Sequence, residues 1–154
     1  MGGDSFGGTI CFHLTLQRPN FYSGVIFTNP GFRDLPNLFI PKLLTKIAGY
    51  FIPDLKTISS RYDMVTKYDC TRHIVSDKHN YLGRLMPGTY RVALSAGEIT
   101  PKLFKKFKAP YILFQGGVDK IVDPFAPIDL ERECKSTDKT TVYFKNMWHS
   151  IVYE

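Results

Sequence analysis

The sequence has little of what marks several protein classes. Its 154 residues hold three cysteines, Cys11, Cys70 and Cys134, an odd number without paired spacing. That excludes a small disulfide-stapled scaffold and points to reducing conditions. No uncharged apolar run reaches eighteen residues, so no stretch is long enough to span a bilayer as a helix. No basic segment followed by an apolar run opens the chain, and no signal peptide is expected. Internal repeats and low-complexity tracts are missing too, which excludes a solenoid or a collagen-like rod. What the chain does have is 44% hydrophobic residues, enough for one domain with a buried core rather than a disordered tail.

The net charge of +6 is not concentrated. Residues 1–77 carry eight basic and six acidic groups, and residues 78–154 carry twelve and eight. The one dense patch, Lys102, Lys105, Lys106 and Lys108, runs straight into Ala109-Pro110. Lysines in that place suit the carboxyl end of a helix, where free carbonyls favour cations. No nucleic-acid partner is expected on this pattern.

Punctuation by glycine and proline divides the chain. A helix is predicted over 7–18, closed by Pro19, and a strand over 22–28, ended by the turn Asn29-Pro30-Gly31. Residues 32–90 lack sustained strand alternation, and Pro36, Pro41, Pro53 and Pro87 interrupt them. Within them Ile40, Leu43, Leu44, Ile47 and Phe51 fall on one stripe at helical spacing, which predicts a helix over 41–52. A helical segment over 91–106 leads to Tyr111–Gln115, an apolar run that reads as a strand buried on both faces. Asp123-Pro124 predicts the cap and first residue of a helix ending near Lys135, and Thr140–Phe144 predicts a last strand. Strands alternating with helices make an α/β protein with a parallel sheet. The expected division is a core segment at 1–31, a helical insertion at 32–90 and a second core segment at 91–154.

Three residues stand out chemically. Gly3-Asp4-Ser5-Phe6-Gly7 matches G-x-S-x-G, the pattern of a sharp strand-to-helix turn that exposes a serine hydroxyl; Gly3 and Gly7 supply the room it needs. A serine becomes a nucleophile only when a positioned base takes its proton. Of the four histidines, His13 lies inside a helix and reads as structural, and His73 and His79 lie in the polar insertion. His149 follows the last strand, where loops converge at the carboxyl ends of a parallel sheet. Asp119 follows strand 111–115 through Gly116-Gly117, and is favoured over Asp123 as the carboxylate that orients the base. The order Ser5, Asp119, His149 is the chain order of α/β-hydrolases.

The segments Gly3–Gly8, Ala109–Pro124 and Tyr143–His149 resemble the monoacylglycerol lipases, and more broadly the lysophospholipase and serine-aminopeptidase-like branch of the α/β-hydrolases. The resemblance runs along essentially the whole chain. It implies a partial α/β-hydrolase fold, with 32–90 as a helical lid and the chain as the C-terminal half of a larger enzyme. It also implies Ser5 as nucleophile, Asp119 and His149 as its partners, and the Phe6 amide as one oxyanion donor. No metal and no organic cofactor is implied. The expected activity is hydrolysis of monoacylglycerol- or lysophospholipid-type esters, with alternatives in a catalytically silent fragment or a same-fold peptidase or acyltransferase. The stripe Ile40, Leu43, Leu44, Ile47 and Phe51 is expected to meet acyl chains or a membrane surface, on a cytoplasmic protein peripheral to membranes. The resemblance places a second oxyanion amide before Met1, so these residues taken alone are expected to turn over little substrate.

Overall fold

A computed structural model describes residues 1–34, 39–56, 64–67, 76–79, 81 and 83–154, with the side chains of 39–42 outside that description. His73 and Cys70 therefore lie outside the described residues, as does the side chain of Ile40.

Four parallel strands form one sheet in the order β1 (Gly2–Asp4), β2 (Val25–Thr28), β3 (Tyr111–Gly116) and β4 (Lys139–Phe144). Helix α1 (Phe6–Gln17) joins β1 to β2. Helices α2 (Phe39–Phe51) and α3 (Pro87–Ile99) and a 3-10 helix at Thr100–Lys106 lie between β2 and β3. Helix α4 (Ala126–Glu133) joins β3 to β4.

The strand predicted over 22–28 is shorter because of its neighbour. β2 pairs with β3 from Val25 opposite Tyr111, and the preceding residue of that neighbour is Pro110. Proline has no N–H to extend the ladder. The helical segment predicted over 91–106 divides into α3 and the 3-10 turn at Pro101, whose ring cannot sit inside a continuing α-helix. α3 also begins at Pro87, so it straddles the expected border at residue 90.

The core lies on one face of the sheet. Val25, Phe27, Tyr111 and Leu113 point into it from alternate strand positions, and Phe12, Phe32, Phe104, Phe107 and Leu130 meet them there. Phe12 stacks on Phe107 at 4.9 Å between ring centres and meets Phe32 edge-on at 5.4 Å. Each such fully buried ring stabilises the fold by roughly 1.5–3 kcal/mol. The opposite face is more open: Ile26 is 51% exposed, and Ile112 and Phe114 are only half-buried. The expectation that β3 is buried on both faces is thus corrected. α1, the 3-10 helix at Thr100–Lys106 and α4 all contribute to the same core cluster.

Candidate active site

The turn from β1 to α1 is held in an unusual backbone conformation. Ser5 holds φ 52° and ψ −122°, a conformation that costs a non-glycine residue of the order of 1–3 kcal/mol. Both faces of its peptide are tied: its N–H donates to the Thr28 carbonyl at 2.9 Å, and its carbonyl accepts from Gly8 at 3.0 Å and Gly31 at 2.8 Å. Gly3 is required for the packing, since a Cβ there would collide with the Gly7 backbone and the Cys11 sulfur. Nothing lies within 4 Å of a Cβ built on Gly7, so no clash demands a glycine there.

The other two residues arrive on loops at the same end of the sheet. After β3, Gly116 and Gly117 lead to Asp119, whose Oδ1 accepts the Ile121 and Val122 N–H groups at 2.7 and 3.1 Å. That pair leaves Oδ2 free to accept from His149 Nδ1 at 2.7 Å. His149 Nε2 then lies 2.7 Å from Ser5 Oγ. Both Asp119 and His149 are buried, at 6% and 5% exposure. Ser5, His149 and Asp119 are therefore one hydrogen-bonded chain, and the Nδ1–H tautomer that the carboxylate selects leaves Nε2 able to take a proton from the hydroxyl. The Phe6 N–H stands at the first position of α1, where no intrahelical partner exists and the helix dipole favours developing negative charge.

The loops approach each other closely. A Cβ on Gly116 would run into the Trp148 carbonyl, so glycine alone admits the His149 loop at the end of β3. Lys120 sits over the Trp148 ring, 3.2 Å from its centre, clipping the neighbour of Asp119 to the neighbour of His149. Asp4 keeps an exposed side chain, yet surrounding protein raises its carboxyl above the usual range through desolvation; His149 opposes the shift and Asp119 adds to it.

Asp123 is placed apart from this chain. Its Oδ2 accepts from Arg33 Nε at 2.7 Å, and its Oδ1 accepts the Phe125 N–H at 2.9 Å. It shapes the turn before α4 rather than capping it, because the helix starts three residues later, at Ala126, and ends at Glu133. The Thr100 hydroxyl donates to the Ala96 carbonyl at 2.7 Å, so His13 Nε2 donates to Thr100 Oγ1 at 2.9 Å, between α1 and the 3-10 helix. His79 is exposed. A groove of about 670 Å³ lined by Met1, Tyr22, Gly24, Pro110 and Thr140 contains none of the Ser5, His149 and Asp119 chain. Among the described residues no cluster of three or more metal-binding side chains occurs.

On α2, Leu43, Leu44, Ile47 and Phe51 are exposed, from 48% to 75%. The helix rests instead through Gly49 on Pro87 and Arg91 of α3, with Lys46 paired to Glu98 at 2.5 Å. Two features of the site were not read from the sequence. Asn29, taken only as a turn residue, is fully buried beside His149. Glu154 accepts the Lys67 and Trp148 N–H groups at 2.9 and 3.0 Å, fastening residues 64–67 of the insertion to the His149 loop. Asn29 carried a local signal, because a polar residue closing an apolar strand against Pro-Gly is poised at a strand's carboxyl end. Glu154 carried none.

A parallel sheet with a strained serine turn and a facing histidine–carboxylate pair has the architecture of an α/β-hydrolase. Residues 1–154 match the family described as serine aminopeptidase, S33, and the chain belongs to that family. It is 26% identical over 160 residues to a caffeoylshikimate esterase of Arabidopsis thaliana, covering 97% of this chain and 47% of that protein. Its fold is similar to the monoacylglycerol lipase of Paleococcus ferrophilus, with a TM-score of 0.86, 24% identity, and coverage of 97% of this chain and 59% of the other. A soluble variant of the Saccharomyces cerevisiae monoglyceride lipase gives a TM-score of 0.82 at 22% identity, over 98% of this chain and 56% of that one. The chain thus spans about half the length of the proteins it matches.

Proposed function

We propose that this chain carries the reacting residues of a serine carboxylic-ester hydrolase acting on single-chain lipid esters such as monoacylglycerols or lysophospholipids. The observation that carries this reading is the continuous chain from Ser5 Oγ through His149 to Asp119 Oδ2, both links 2.7 Å long. His149 takes the Ser5 proton as Oγ attacks the ester carbonyl. The Phe6 N–H donates to the oxyanion of the tetrahedral intermediate. The imidazolium, stabilised by Asp119, returns the proton to the departing alcohol and leaves an acyl-serine. Water deprotonated by His149 then releases the acid and restores Ser5.

The lipid side of the proposal is supported by the exposed apolar stripe on α2, and by relatives whose names include lipases and an esterase. In this reading Leu43, Leu44, Ile47 and Phe51 contact the acyl chain or a membrane surface. In the full-length protein, a fluorophosphonate probe should label Ser5, and Ser5→Ala should end both labelling and ester hydrolysis. Unchanged hydrolysis in that variant would remove the assignment. The family's description favours one second reading, an aminoacyl amide as substrate. Comparing turnover of glycerol esters with that of aminoacyl amides separates the two.

A further inference from the structure

The main chain around His149 is held from outside its own loop. The Trp148 N–H donates to Glu154, and the Ser150 N–H donates to the Val65 carbonyl at 2.9 Å. Between them the His149 carbonyl accepts from Asn29 Nδ2. Of these three anchors, only Asn29 comes directly off a strand end of the sheet.

Asn29 directly follows β2 with φ 40°, is 0% exposed, and donates its own N–H to the Phe114 carbonyl at 2.8 Å. Its Oδ1 accepts the Gly116 N–H at 2.6 Å. One carboxamide therefore joins the end of β2, the end of β3 and the His149 peptide. The same stretch holds the serine turn, through the bonds of Thr28 and Gly31 to the Ser5 peptide. The Gly116 N–H can only donate and the His149 carbonyl can only accept, so the side chain must present both functions at once. Aspartate cannot do so when ionised, and serine is too short to span the gap.

We propose that Asn29 is a positioning residue for the His149 imidazole, fixing the main chain from which the ring reaches both Ser5 Oγ and Asp119 Oδ2. It touches no reacting atom. The proposal rests on the reading of Ser5 and His149 as nucleophile and base, and goes beyond it by naming what sets their distance.

The test uses histidine-labelled full-length protein and two readouts. One is the downfield Nδ1 proton of His149, seen by nuclear magnetic resonance without any turnover. The other is the rate of fluorophosphonate labelling at Ser5. Asn29→Asp keeps the volume and the acceptor for Gly116 but loses the donor, and Asn29→Ser provides a second variant of smaller charge perturbation. Both should lose or broaden the His149 signal while folded, and labelling should slow by about 10²-fold, as expected for misplacement by about 1 Å. Phe104→Leu, a core change, should lower the melting temperature yet keep the signal and the rate. Signal and rate within twofold of wild type in a folded Asn29 variant would overturn the proposal, as would equal losses in Phe104→Leu. If wild type shows the Nδ1 proton but resists labelling, the hydrolase reading fails, and the resonance comparison alone decides the role of Asn29.

Discussion

The carboxyl end of the sheet and helix α2 are built on opposite terms. At the sheet end Ser5, Asp119 and His149 come from three separate connections, and the Ser5 peptide, the Asp119 carboxylate and the His149 ring are tied by bonds of 2.7 to 3.1 Å. Helix α2 meets α3 through Gly49 and one exposed ion pair, and turns large apolar side chains outward. On the proposed reading, the contrast separates two physical tasks. Proton transfer needs atoms held to a few tenths of an ångström, which directional bonds supply. Contact with apolar matter of variable shape needs area, which non-directional burial supplies.

The sharpest break of this contrast is Asp119→Asn against Asp123→Ala. The first should lower turnover by roughly 10⁴-fold, the loss seen when an orienting aspartate is removed from a serine protease. The second should leave turnover nearly intact and cost about 1 kcal/mol, because it removes the turn bond to Phe125 and the partly buried pair with Arg33. Reversed phenotypes would assign the orienting role to Asp123. Steady-state kinetics and chemical denaturation measure the two arms.

Gly116→Ala comes next. Its Cβ meets the Trp148 carbonyl, so overpacking should cost about 1–3 kcal/mol and displace His149. Thermal melting and Ser5 labelling should fall together; a variant with wild-type values in both would show that the loop has slack. On α2, Leu43→Asp combined with Ile47→Asp should weaken binding to anionic vesicles while moving stability by no more than about 0.5 kcal/mol. Activity on long acyl esters should then drop more than on short soluble ones. Equal loss on both lengths would return α2 to a purely structural role.

The smallest expected effect is a pH dependence remote from the site. Burial lowers the pKa of His13. In that case the unfolded chain binds the proton more readily, so stability is full above the unfolded value, near pH 6.5, and declines as pH falls through it. His13→Gln should flatten this limb of a stability-against-pH curve. An unchanged limb would place its origin elsewhere, and Asp129 cannot be that origin. Burial works to raise the Asp129 carboxyl, but Arg33 and Arg132 outweigh it and hold it low, so its contribution is lost only at more acid pH.

Much of the fold was legible because its signals are local. Pro110 and Gly117 bracket β3, and Gly3 with Ser5 marks a turn whose geometry few other residues tolerate. The meeting of Ser5, Asp119 and His149 at one end followed from parallel topology, which sends successive strand ends the same way. The open face of the sheet was not legible, since Ile112 and Phe114 read as core letters whether or not a helix covers them. The start of α4 was misplaced because Asp123 serves Arg33, a partner ninety residues away that no local pattern announces. Asn29 and Glu154 escaped for the same reason: their partners lie far off in sequence, at His149 for one and at Lys67 for the other.

The backbone of Ser5 has a consequence for how this chain can drift under mutation. Glycine would adopt φ 52° and ψ −122° far more readily than any side-chain-bearing residue. On stability alone, position 5 should therefore favour the loss of its hydroxyl, and Ser5→Gly should melt higher than Ser5→Ala by the equivalent of about 1 kcal/mol. Thermostability selection applied without an activity screen should pull this residue towards glycine. If Ser5 is the nucleophile proposed above, this is a position where folding and chemistry want different amino acids, and where the fold has given way.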